Sequence, residues 1–359
     1  MSFPAGRSLF ASALVLAVAL SSLVAAPPAR AGKNDLDLLN LCPPQQSALG
    51  GGVQECSWVQ RDPANGHGIT AQVVPSDAAL GNFRSLMSEL GVVIAPRLLT
   101  PADTLGYAGF QFSAELGMTQ ISHNAAFWDG VQGVDPANRT AARPDAYLTT
   151  VGGFVRKGML IPFPAFEIGA GAVNVVGSSM FALQGYAKLA LQEGFQSWVL
   201  PSVAVRAAAS QLIGTDQVDL TVFGFDVVIS KAFSIAGTAR FEPFGGYNLL
   251  FIDARSGVID ATPACDAYAL QHATTSPSPY CGQPGTANDY FADFTFPHQD
   301  LITRQRIFAG FKLKLGLVFL AAEYDLVPAG RSRDETQQKG TIDASQQQQS
   351  FSLSTGLDF

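Results

Sequence analysis

Charge is what this 359-residue chain has least of. Asp, Glu, Lys and Arg together make up 14% of it, against roughly 25% in ordinary globular domains. That shortage argues against a soluble enzyme, which needs charge over its surface. Histidines and cysteines number four each. No Cys-x₂₋₄-Cys spacing or nearby histidine accompanies them, which excludes a structural zinc site, and neither metal nor cofactor is expected. The net charge is −7, with no basic cluster, which argues against a nucleic-acid partner. Past residue 31 the chain also lacks a convincing membrane helix. An uncharged run, 168–187, has the length of one. It nevertheless holds Gly169, Gly171, Asn174, Gly177, Ser178, Ser179 and Gln184, and its pattern repeats every two residues. Two strands joined at Gly177-Ser178-Ser179 explain it better.

The start of the chain reads as an export signal. Arg7 precedes an apolar run over 9–26, Pro27-Pro28 breaks it, and Ala29-Arg30-Ala31 fits the small-x-small cleavage rule. Residues 1–31 are therefore expected to be removed, and with no cysteine near the cut a lipoprotein is excluded. Cleavage would leave 20 basic against 29 acidic residues, a net of about −9.

Alternation dominates what remains. Successive strand side chains point to opposite faces. In 110–119 this separates Phe110, Phe112, Ala114, Leu116 and Met118 from Gln111, Ser113, Glu115, Gly117 and Thr119. The same division runs through 181–192, 199–210, 235–251 and 306–314, where Phe181, Val203, Phe241 and Phe311 oppose Lys188, Arg206, Arg240, Glu242, Arg306 and Lys312. A charge at every second position suits a wall with lipid on one side and a polar interior on the other. An exported chain this apolar, with no spanning helix, calls for a closed barrel, since lipid tolerates no unpaired sheet edge.

The last nine residues carry the plainest version of this pattern. Phe351, Leu353, Thr355, Leu357 and Phe359 fall on one face, and Ser352, Ser354, Gly356 and Asp358 on the other. An amphipathic strand ending on a carboxy-terminal Phe resembles the closing strand of a bacterial outer-membrane β-barrel. The resemblance implies a Gram-negative outer-membrane location, surrounding lipid as a partner, and Phe359 as the insertion signal read by the barrel-assembly machinery. The fold expected is all-β, a transmembrane antiparallel up-and-down barrel with a short N-terminal segment containing one helix. Bacterial barrels carry even strand numbers, short periplasmic turns and longer outer loops. Ten strands satisfy that parity: 122–145, 253–300 and 328–345 fall outside, and short joints near Pro162, Gly194, Ala232 and Gly316 fall inside. Twelve is the alternative, and would draw on 91–99 for one further strand.

The expected domains are thus 1–31 signal, 32–100 an N-terminal periplasmic or lumen-inserted segment, and 101–359 the barrel. In the second, Ser76 caps a helix with Leu80, Phe83, Met87 and Leu90 on one face, and Gly91 sits at the usual stop. A likeness to plugged outer-membrane transporters implies a plug, though no motif specific to one is present. In an exported chain the four cysteines read as disulfides, with close spacing favouring Cys42–Cys56 and Cys265–Cys281 over crossed pairings. This reading puts the two pairs on opposite sides of the membrane.

Candidate chemistry is sparse. His67, His123, His272 and His298 fall in loops or the N-terminal segment. The string Ser122-His123-Asn124 has the wrong order for an outer-membrane phospholipase, and His298 near Asp300 is too common a spacing to mark a protease, so no enzyme is expected. Function is expected in the interior, at Glu115, Arg156, Glu167, Lys188, Arg206, Asp226, Arg240, Glu242, Arg306, Lys312 and Glu323. Solvated, these residues line a channel selective for a small solute. Paired, they close the lumen. The first reading implies a porin- or transporter-like protein. The alternative is a structural or surface-interaction barrel displaying loops such as the aromatic-rich 253–300.

Overall fold

The computed structural model describes residues 32–42, 56–60, 71–134, 143–161, 165–193, 200–235, 237–260, 293–332 and 342–359. The signal segment, Cys265, Cys281, His67, His272 and most of the 253–300 loop lie outside them.

In chain order the elements are β1 (Cys56–Gln60), β2 (Ala71–Pro75), α1 (Asp77–Ile94), β3 (Phe110–Gln120), β4 (Tyr147–Met159), β5 (Phe166–Val175), β6 (Phe181–Gln192), β7 (Ser202–Ile213), β8 (Val218–Ser230), β9 (Phe233–Ile235), β10 (Ala239–Ser256), β11 (Ile259–Asp260), β12 (Asp293–Phe294), β13 (Gln299–Leu315), β14 (Val318–Val327) and β15 (Gln348–Asp358). Two 3₁₀ turns, Leu38–Leu41 and Ala126–Asp129, accompany them. Ten strands form one antiparallel barrel, each paired with its sequence neighbour. β10 pairs with β13 from Ala239↔Leu315 onward, and β15 closes on β3 through Ser350↔Thr119 to Asp358↔Gln111. The last residue adds to the seam: the Phe110 and Phe359 amides each donate to the other's carbonyl, at 3.2 and 2.8 Å.

The two faces divide as the alternation predicts. Phe112, Leu116, Met118, Ile168, Phe225, Ile307 and Phe351 stand exposed on the outside, while Ser113, Glu115, Lys188, Arg206, Arg306 and Ser352 are buried within. The short outward links turn at Gly177 (φ +78°) and Gly214 (φ +88°), left-handed positions suited to glycine. Because the long connections follow β3, β10 and β14, that end is the outer one.

The interior is occupied. α1 starts where Ser76 accepts a hydrogen bond from the Ala79 amide (3.2 Å) and runs on to Ile94. Its residues from Phe83 to Ile94 are all buried. Phe83, Leu86, Met87 and Leu90 share an apolar core with Leu220, Val222, Leu250, Ile252 and Val327 of the wall and with Leu36, Leu41 and Trp128 at the outer mouth. Two expectations fail here. Gly91 does not end the helix, and 91–99 is not a strand. A Cβ at Gly91 would lie 2.6 Å from Ile252 Cδ1, so this glycine serves helix-to-wall approach. The helix stops where Ala95, ahead of Pro96, turns extended (ψ 138°). Residues 95–105 then descend without regular structure to the periplasmic end, and the barrel wall begins at Phe110.

Gly91→Val should therefore destabilise the barrel by overpacking, on the order of 1–3 kcal/mol. Ile252→Ala should recover part of that loss in the double variant, which denaturant unfolding of the refolded protein will measure.

Candidate functional site

The outer half of the lumen is tied by polar groups on α1. Glu89, fully buried, accepts from the Ser122 amide (2.9 Å) and hydroxyl (2.6 Å), Trp128 Nε1 (2.7 Å) and the Gln346 amide (3.0 Å). One carboxylate thus joins the helix to the connections after β3 and β14. The preceding residue, Ser88, donates to Asp343 (2.9 Å), and Arg304 of β13 donates to Ser88 (3.0 Å), Ser345 (2.8 Å) and the Pro328 and Gln346 carbonyls. Unpaired polar groups at this depth would each cost on the order of 1–3 kcal/mol, and these have partners.

Segment 32–42 covers the outer mouth. Asn34 bonds the turn at Gly177 through its amide and side chain, Leu36 bridges Val131, and the Leu38 amide donates to Gln217 (2.6 Å). The Cys42–Cys56 disulfide (Cα–Cα 5.3 Å) belongs to the same outer core. Its expected periplasmic placement is thereby corrected: α1 enters the lumen from the outer end, so what precedes it lies outside. Cys265 and Cys281 fall beyond the described residues.

Below the helix, the charged residues of the wall face the extended segment 95–105. Cations meet its carbonyls. Arg306 donates to Pro96 O (2.7 Å), Arg206 to Arg97 O (3.0 Å), and Lys188 to Pro101 O (3.2 Å) and Asp103 O (3.0 Å). Gln184 and Ser210 donate to the terminal helix carbonyl of Ile94 at 2.8 and 2.9 Å. Carboxylates meet its amides: Glu323 accepts from Leu98 and Leu99 (3.3 and 2.7 Å), Glu167 from Leu105 (3.0 Å), and Glu193 from Thr104 (3.0 Å). Leu99 takes a left-handed φ of +48° there, a conformation that costs a non-glycine residue about 1–2 kcal/mol.

The same wall groups also pair with one another. Arg156 meets Glu115 at 2.5 Å, Lys188 meets Glu167 at 3.0 Å, and Arg206 meets Asp226 at 3.0 Å. Asp325 takes Arg97 of the segment at 3.0 Å and lies 3.8 Å from Arg306. Arg156, Glu167, Lys188 and Glu323 are each 1% exposed. Aromatic faces complete the shell, with Arg206 over Tyr186 (5.1 Å) and Lys312 over Phe319 (4.9 Å).

At the periplasmic mouth the arrangement loosens. Arg240, with a side chain 39% exposed, bridges Asp103 (2.5 Å) and Glu242 (3.0 Å), while Lys312 and Lys314 share Asp358 (2.7 and 2.8 Å). These residues, with Pro101, Thr104 and Leu105, line a cavity of about 110 Å³. All eleven interior residues named from the sequence therefore stand on the inward face of the wall. The alternation could not show that Arg97, Asp325, Asp358, Glu193 and the main chain of 95–105 supply their partners. Of the histidines, His123 lies in the connection after β3, and His298 contacts Asp253 and Arg255 (3.3 Å) at the exposed outer rim. Among the described residues no cluster of His, Cys, Asp and Glu is set to hold a metal ion.

A closed barrel with an apolar exterior defines an integral β-barrel of the outer membrane. No family model matches the chain, and no curated protein matches it. Among solved structures it is similar to Ail, the attachment invasion locus protein of Yersinia pestis, at 10% identity over 70% of this chain and 99% of that one, with a TM-score of 0.24. OmpT, an outer membrane protein of Vibrio cholerae, aligns at 12% identity over 70% and 76%, with a TM-score of 0.24. OprB of Pseudomonas putida aligns at 9% identity over 71% and 94%, with a TM-score of 0.18. Likeness this low carries no functional argument.

Arg206→Ala would strand Asp226 in the interior and free the Arg97 carbonyl. Stability should fall by about 3–5 kcal/mol, the scale for breaking a buried pair. Replacing both partners by Met and Asn should cost clearly less, as equilibrium unfolding in lipid vesicles or detergent will test.

Proposed function

We propose that this protein is a self-closed outer-membrane barrel that acts at its outer end, as a surface-interaction or structural protein, and not as an open pore. The supporting observation is the path of residues 95–105 down the lumen, with Arg306, Arg206, Lys188, Glu323 and Glu167 bonded to its main chain. Passage of a small solute would require that segment to leave, breaking these contacts together and baring buried charges. The groups best suited to set ion selectivity are instead engaged with protein. The outer end, in contrast, carries the disulfide-bearing segment, the β11–β12 strand pair and the long connections.

The reading gives His123 and His298 no catalytic role and calls for no cofactor. Its partners are lipid around the wall, the assembly machinery at Phe359, and a ligand at the outer surface. Planar-bilayer recording of the refolded, heat-modifiable protein is the decisive experiment. The expected result is a membrane without steady conductance, and a sustained ion-selective current from the unmodified protein would sink the proposal. Separately, Phe359→Asp should lower the heat-modifiable protein recovered in the outer membrane severalfold. Undiminished recovery would remove Phe359 from any part in insertion.

A further inference from the structure

Residues 32–42 lie at the outer mouth, while β3 starts at the periplasmic end beside Phe359. Residues 77–105 run the length of the lumen inside a wall that β15 and β3 close. An exported chain starts on the periplasmic side, so residues 32–42 and the start of α1 have to cross the membrane.

The two halves of the lumen hold this chain in different ways. In the outer half recognition is through side chains: Phe83, Leu86, Met87 and Leu90 fit an apolar core, and Glu89 has four donors. Such contacts accept one sequence in one register. In the periplasmic half the wall mostly addresses main chain. Arg306, Arg206 and Lys188 reach carbonyls, while Glu323, Glu167 and Ser230 accept from amides, the last from Ala102 at 3.0 Å. Arg97, Asp103 and Thr104 add side-chain bonds, and Leu98 and Ala102 pack against Ala204, Val228, Phe244 and Phe308. The main-chain contacts would serve any extended polypeptide, because every residue other than proline presents the same amide and carbonyl.

We propose that the periplasmic half of the lumen is a path for extended polypeptide, recognised by its main chain, along which residues 32–94 travel to the outer end before 95–105 come to rest in it. The proposal rests on the reading of a lumen closed by the chain itself, and it adds how that closure arises. The competing route is a sheet that closes around a segment already lying across the membrane. In that case the main-chain contacts would stabilise the product without affecting delivery.

The test uses the full chain carrying Lys33→Cys, an exposed outer position, labelled in intact cells with a membrane-impermeant maleimide. Leu317→Cys, exposed in the periplasmic turn between β13 and β14, is the shielded control. Labelling is counted per heat-modifiable barrel, so a variant that folds less well still gives an answer. The paired neutral replacement Lys188→Met with Glu167→Gln should lower labelling of the Lys33→Cys thiol at least fivefold per folded barrel. As a second measure, a small disulfide-locked domain placed between Ala31 and Gly32 should block labelling when locked and permit it when reduced. Unchanged labelling per folded barrel in both experiments would overturn the path. So would a parent protein in which the Lys33→Cys thiol is no more accessible than the Leu317→Cys control. A conducting barrel with normal delivery of position 33 to the outer surface would refute only the closed-lumen reading.

Discussion

An extended polypeptide inside a barrel is a liability unless its amides and carbonyls find partners, and this constraint organises the molecule. Residues 95–102 lie too deep for bulk water and, with 103–105 at the mouth, have no helix or sheet to satisfy them. Each unmet group would cost an amount comparable to a lost hydrogen bond. The wall meets them with long inward side chains from different strands: Arg206 from β7, Arg306 from β13, Glu323 from β14 and Lys188 from β6. Those charges would themselves be costly if buried singly. They are tolerable because each also has a charged or main-chain partner, so segment and wall stabilise one another. Either alone would require water.

This mutual dependence explains why the interior changes character halfway along its axis. Where the chain is helical, its backbone is satisfied internally, and the wall is free to present Leu220, Val222, Leu250 and Ile252. Pro96 ends the helix, and from that level onward charged and polar side chains join inward apolar ones such as Ala204, Val228, Phe244 and Phe308, because the backbone they face has lost its own hydrogen bonds. The boundary is marked by Gln184 and Ser210 on the Ile94 carbonyl. Those two residues do for the helix end what a capping motif does in a soluble protein.

Much of the wall was legible in the sequence. Lipid outside and polar groups inside impose a period of two, so Phe112 against Ser113 and Leu189 against Lys188 declare their faces locally. Gly177 and Gly214 mark turns for an equally local reason, the left-handed backbone. The contents of the lumen left no such trace. Gly91 has the usual signature of a helix stop, yet its role is set by Ile252, far away in sequence and adjacent in space. Glu323 reads as a lumen carboxylate whether it meets water or the amides of Leu98 and Leu99. Alternation reports which way a side chain points and is silent about what waits there.

The same limit governs function. A ring of inward charges is shared by open channels and closed barrels, and occupancy of the lumen separates them. Here the occupant is contiguous with the wall, so its effective concentration at the site is set by a tether of a few residues between Leu105 and Phe110. A free ligand competing for Arg206 or Glu323 would have to match the many contacts of a covalently attached segment, each weak alone and broken only in concert. Opening the barrel is therefore a cooperative event and not the removal of one latch. Any agent that opens it must engage several of these wall groups at once, or pull on the segment from the outer end, where residues 32–42 emerge.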